Sequence, residues 1–179
     1  MSDVTIEGGN RRIDQVLGSG FTDGLEGLEG DEVRRRRDLS RSELEYLSFL
    51  RRLLQGRRDI LKDELERRRS GGEVKPIVDR LVDVLSEGSR GSARGEAPVL
   101  PMPEEEILLA RRRVERLVSD SRLSNLEEMS DDDLRDAVGH IEEEERTISG
   151  TRARVIEVHD TLQGEIKRRY REELGPSSS

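Results

Sequence analysis

Ser48, Arg51 and Asp59 stand at the spacing Ser-x2-Arg-x7-Asp in the segment SFLRRLLQGRRD, and the same spacing returns 101 positions later as Ser149, Arg152 and Asp160 in SGTRARVIEVHD. An ionised aspartate offers two acceptors in one plane, which match the adjacent N1–H and N2–H donors on the pairing edge of guanine. Arginine supplies a planar cation that stacks on a base and bonds bidentately to guanine O6 and N7 or to phosphate. Serine adds a short donor for a phosphate oxygen. Together these side chains describe a reader of guanine plus phosphate. The plainer alternative is a pair of solvated helix flanks tied by salt bridges, where most Ser, Arg and Asp on helices are found.

Positioning such residues is work for helices. Leu44, Leu47, Leu54, Leu61 and Leu65 recur at spacings of three, four and seven, with Tyr46, Leu50, Leu53 and Ile60 widening the face, so a helix is predicted over about 40–69. Ser70, Gly71 and Gly72 end it. At 100° per residue, positions 48, 51, 55 and 59 fall within about 80° of one another beside that seam. A shift of 101 also carries Leu47 onto Ile148, Leu54 onto Val155, Leu61 onto Leu162 and Leu65 onto Ile166, so seam and polar stripe recur in one register. Ser130 precedes Asp131, Asp132 and Asp133, a capped and acidic first turn for a second long helix over about 131–171. Gly139, Gly150 and Gly164 each weaken that helix by about 1 kcal/mol relative to alanine and mark places for bending or close approach of a partner.

Shorter elements lie between. An amphipathic helix is predicted over about 76–87, with Pro76 at its start and Ile77, Leu81 and Leu85 on one face. A Gly, Ser and Pro linker follows over about 88–103, then a helix over about 104–119 with three acids in its first turn. Residues 1–38 lack a sustained apolar period and are predicted to be a disordered tail, the Arg34 to Arg37 run included as a solvated stretch. The domain reading is therefore a tail over 1–38, a helical domain over 39–174 and a disordered terminus over 175–179. The fold class is all-α: an antiparallel helical hairpin or coiled coil of two long helices with short accessory helices. Equivalent stripes on antiparallel helices are related by an approximate two-fold axis, which suits a two-fold-symmetric ligand.

Composition agrees with a narrow seam. Only 31% of the 179 residues are hydrophobic and 2% aromatic, against 40% charged. Without cysteine there is no disulfide framework or thiolate metal site. The net charge of -8 argues against direct DNA binding. No apolar run is long enough for a membrane span and no leader segment is evident, so a cytoplasmic location is expected. All but three of the 32 basic residues are arginine, the lysines being Lys62, Lys75 and Lys167, so no single arginine carries weight by its type.

These features and the segment MSDDDLRDAVGHIEEEERTISGTRARVIEVHDTLQGEIKRRY resemble the RsiG family of anti-sigma factors. The family carries the motif Glu-x3-Ser-x2-Arg-x3-Gln-x3-Asp once on each of two antiparallel helices. In the first copy here Ser48, Arg51, Gln55 and Asp59 match, with Leu44 in the glutamate position. In the second Glu145, Ser149, Arg152 and Asp160 match, with Ile156 in the glutamine position. The resemblance covers about residues 40–172. It implies binding of a cyclic di-GMP dimer, two nucleotides per chain, and retention of a WhiG-type sporulation sigma factor away from RNA polymerase while the nucleotide is bound. It also makes the face of helix 76–87 and the flanks of the long helices candidate sigma contacts.

Other readings are weaker. Glu142 to Glu145 point in successive directions around a helix, unlike a metal site. His140 and His159 lack a nucleophile partner, and no Gly-rich phosphate loop precedes a helix, so neither an enzyme nor a metal cofactor is expected. His159 borders the stripe beside Asp160 or is an ordinary exposed histidine. The alternative function is a structural coiled-coil adaptor without nucleotide, its stripe fixing helix register.

Overall fold

The computed structural model describes residues 11–71, 102–117, 126 and 128–175. Among them every regular element is a helix: α1 (Arg12–Val16), a 3-10 turn at Leu25–Gly27, α2 (Gly30–Ser70), α3 (Glu104–Leu117) and α4 (Asp131–Glu173). The two long helices run uninterrupted for 41 and 43 residues. At the start of α4 the Ser130 hydroxyl accepts from the Asp133 amide at 3.1 Å, and the Asp133 carboxylate accepts in return from the Ser130 amide at 3.3 Å. The Ser130 cap is expected from the sequence, and the return bond to Asp133 makes it reciprocal. The helix predicted over 76–87 lies outside the described residues, as does nearly all of the linker over 88–103.

The chain divides into two compact units, one of residues 1–48 with 148–179, the other of residues 49–147. In the first unit Leu25, Val33, Leu162 and Ile166 form a core cluster with Phe21, Leu28 and Val158 packed against it. Ser40 meets His159 and Ser48 meets Arg152, so α2 and α4 run antiparallel there. In the second unit Leu50, Leu54, Leu61, Val114, Leu134 and Ile141 are buried. Gln55 meets Glu145, Lys62 meets Glu142 and Arg68 meets Asp131, again antiparallel.

The N-terminal part differs from the sequence expectation. Residues 11–38, read as disordered, are folded, and α2 begins at Gly30 rather than near residue 40. Val16, Leu25 and Val33 are buried but lie eight or nine positions apart, too sparse to register as a period. They are held from outside the segment. Arg169 Nη2 donates to the Leu25 carbonyl at 2.6 Å, and Arg12 donates to the buried Glu43 carboxylate at 2.7 Å. Nor is the Arg34 to Arg37 run a solvated tail: Arg36 lies 5.5 Å from the Phe21 ring centre and donates to the Phe21 carbonyl at 2.7 Å.

The 101-residue register extends well beyond the stripe. Arg12 on Glu43 in the first unit is matched by Arg113 on Glu144 at 2.6 Å in the second. Arg169 on the Leu25 carbonyl is matched by Arg68 on the Leu126 carbonyl, also at 2.6 Å. In each case a glutamate one turn earlier, Glu165 or Glu64, binds two consecutive arginines and holds the second in place. Their guanidiniums depress both carboxylates to about 2. Each unit thus has one plan: an arginine from a short helix on a long helix, and an arginine near the end of one long helix clasping the turn before the other.

Candidate functional site

Heptad-like burial of Leu47, Leu50, Leu54 and Leu61 turns the stripe of α2 to the edge of its packed face, and Ile148, Val155 and Leu162 do the same for α4. Every motif residue is consequently half-buried except Asp160, which is exposed. Within the first unit Arg152 Nε donates to the Ser48 hydroxyl at 2.9 Å, so a residue of the second motif copy meets one of the first. Within the second unit Gln55 Nε2 donates to Glu145 Oε1 at 2.6 Å, which again joins the two copies.

Glu145 is the centre of a denser group. Arg58 Nη1 donates to its second oxygen at 2.8 Å. Arg51 Nε lies 3.3 Å from Oε1, is buried and makes no aligned hydrogen bond, so that contact is Coulombic. Arg58 also donates from Nε and Nη2 to Asp59 Oδ1 at 3.0 and 2.8 Å. That hydrogen-bonded carboxylate, with the Glu145 and Glu142 charges adding, raises the Arg58 pKa above its ordinary value. Arg58 was not among the residues singled out from the sequence. Its only signal was its place between the stripe positions 55 and 59.

The two departures from the motif occupy equivalent places. Leu44 corresponds to Glu145 and Ile156 to Gln55 in the 101-residue register, and both are half-buried members of the first unit. Where one unit has a hydrogen-bonded carboxylate and amide, the other has two aliphatic side chains. A carboxylate at 44 facing an isoleucine at 156 would lack the amide that Glu145 uses, so the two changes are one exchange rather than two losses. His159, which takes the place of Arg58, has its Nδ1 3.0 Å from the hydroxyl of the fully buried Ser40. His140 is exposed. Ser149 and Asp160 make no side-chain hydrogen bond to another motif residue.

The acidic run at 142–145 is divided among partners. Glu142 pairs with Lys62, Glu143 with Arg146, Glu144 with Arg113 and Glu145 with Gln55 and Arg58. No helix among the described residues is long and apolar enough to cross a membrane.

Sequence comparison assigns the part of the chain that holds the first motif copy: residues 19–85 match the family model described as RsiG-like. These residues are RsiG-like. The RsiG-like segment takes in the turn at Leu25–Gly27 and all of α2, and with them Ser48, Arg51, Gln55 and Asp59. It begins well before residue 40, in keeping with the folded state of residues 19–38. An RsiG-like segment suggests a regulatory role of the anti-sigma type, with a sigma factor as the kind of partner. No curated protein matches the chain.

Proposed function

We propose that this chain is an anti-sigma factor that binds a cyclic di-GMP dimer through Ser48, Arg51, Gln55 and Asp59 on α2 with Glu145, Ser149, Arg152 and Asp160 on α4. In the loaded state it retains a WhiG-type sporulation sigma factor away from RNA polymerase. The observation that carries this reading is the pairing of the two motif copies with each other, Arg152 on Ser48 in one unit and Gln55 on Glu145 in the other. The aspartates read the guanine N1–H and N2–H edge, the arginines stack on bases or take phosphates, and the serines donate to phosphate oxygens. A dimer of the nucleotide carries about four negative charges, which the arginines offset. By linkage, a nucleotide that favours the sigma-bound state itself binds more tightly when sigma is present. Falling nucleotide then releases sigma, in the cytoplasm.

A second reading has an observation of its own. Gln55 and Arg58 each hydrogen-bond Glu145 across the two long helices, which is how a structural adaptor would use the stripe to fix helix register. Size-exclusion chromatography of the chain with the sporulation sigma factor separates the two. Co-elution only when cyclic di-GMP is present supports the anti-sigma reading. Co-elution indifferent to nucleotide, or none at all, supports the adaptor.

A further inference from the structure

Arg58 and His159 are counterparts in the 101-residue register, each immediately before a motif aspartate, yet they treat that aspartate in opposite ways. Arg58 bridges two carboxylates, with two nitrogens on Asp59 Oδ1 and the third on Glu145. A guanine edge needs both oxygens of a carboxylate at once, so a guanidinium on Oδ1 competes directly with the base. His159 instead engages Ser40 and leaves Asp160 exposed. The reason is visible one turn away on the opposite helix. The counterpart of Glu145 is Leu44, so a cation at position 159 would have one carboxylate to hold rather than two.

We propose that Arg58 is a latch that keeps Asp59 from a guanine until it is displaced, so that the two motif copies take up nucleotide unequally, the Asp160 copy first. This rests on the cyclic di-GMP reading above and assigns Arg58 a role that the motif does not contain. The Leu44 and Ile156 exchange then acquires a consequence: it leaves one copy unlatched. Displacing the latch breaks a charge-assisted hydrogen-bond pair, which sets the size of the difference between the copies at about three- to tenfold in affinity.

Isothermal titration of the full chain with cyclic di-GMP tests this. The wild type should show a tighter and a weaker phase. Asp160→Asn should remove the tighter phase, and Asp59→Asn only the weaker. Arg58→Ala should tighten the weaker phase by about three- to tenfold, while Arg52→Ala, which removes an exposed arginine of the same helix, should not. Circular dichroism verifies that each variant keeps its helices. An Arg58→Ala titration identical to wild type, or weaker than it, overturns the latch while leaving the nucleotide reading intact. Absence of binding by the wild-type chain overturns both.

Discussion

The unit of residues 1–48 with 148–179 and the unit of residues 49–147 are built on one plan with different fillings at the stripe. Both place an arginine from a short helix on a buried or half-buried glutamate of a long one. Both close the end of a long helix with a Glu-x2-Arg-Arg clasp on the turn before the other. Where the motif lies, the second unit is a polar group centred on Glu145, and the first is Leu44 and Ile156 with a histidine turned away toward Ser40. The repeated contacts are those that hold the helices, and the variable ones lie at the stripe, where nucleotide binding is proposed. The same clasp therefore occurs twice, whereas the proposed two-fold ligand would meet unequal halves that share only the serine, arginine and aspartate of each copy.

Breaking both copies should have the largest effect. Arg51→Ala with Arg152→Ala is expected to reduce cyclic di-GMP affinity by at least about 100-fold, two charge-assisted contacts at somewhat over 1 kcal/mol each, with helical circular dichroism nearly unchanged. The clasps come next and should be unequal. Arg68 serves the Leu126 and Met129 carbonyls and Asp131, while Arg169 serves the Leu25 carbonyl. Arg68→Ala should therefore cost about 2–3 kcal/mol and Arg169→Ala about 1–2 kcal/mol, read from urea unfolding, since each leaves a carbonyl without its donor.

Acid should act on both units together. Glu32, Glu64 and Glu165 are each depressed to about 2 by a pair of guanidiniums. Their folded pKa lies below the unfolded value near 4.5, so their contribution is complete above that value and is lost as pH falls toward 2. Thermal melts should show Tm falling over that window, and Glu64→Gln should make the fall shallower.

The smallest effects sharpen the comparison at the stripe. Leu44→Glu with Ile156→Gln rebuilds the second unit's pair in the first. Together the changes should shift stability by less than about 1 kcal/mol, while Leu44→Glu alone should cost more, a coupling that a double-mutant cycle reads directly. At Gly139, Gly150 and Gly164 an added Cβ would meet nothing within 4 Å, so none is required by the chain's own packing. Gly150→Ala should stabilise the free chain by up to about 1 kcal/mol. A loss of nucleotide or sigma binding in that variant would mark a close approach there.

Much of this was readable from residue spacing. The leucine seam, the Ser130 cap, the two long helices and the paired motif copies are local or periodic; α4 begins at its cap and α2 ends where the seam stops, but α2 begins about ten residues before its period does. The fold of residues 11–38 had no local signal, because it depends on three well-separated apolar residues and on Arg169 near the far end of another helix. The same shift of 101 that exposed the stripe also aligns Arg12 with Arg113, Leu25 with Leu126, Glu43 with Glu144 and Arg68 with Arg169. Carried past the stripe, it would have marked the folded N-terminal segment. The Arg58 bridge was illegible for a different reason: in an arginine-rich helix, only geometry distinguishes the arginine that spans two carboxylates from its neighbours.

The proposed role of the two motif copies is to bind guanine and phosphate together. Isothermal titration of the chain with cyclic di-GMP, alone and with the sporulation sigma factor, tests it most directly. Two nucleotides per chain, tighter binding with sigma present, and loss of binding in the Arg51→Ala, Arg152→Ala variant are expected. No heat in either setting, from protein with full helical circular dichroism, would contradict it and leave a helical adaptor whose stripe holds only itself.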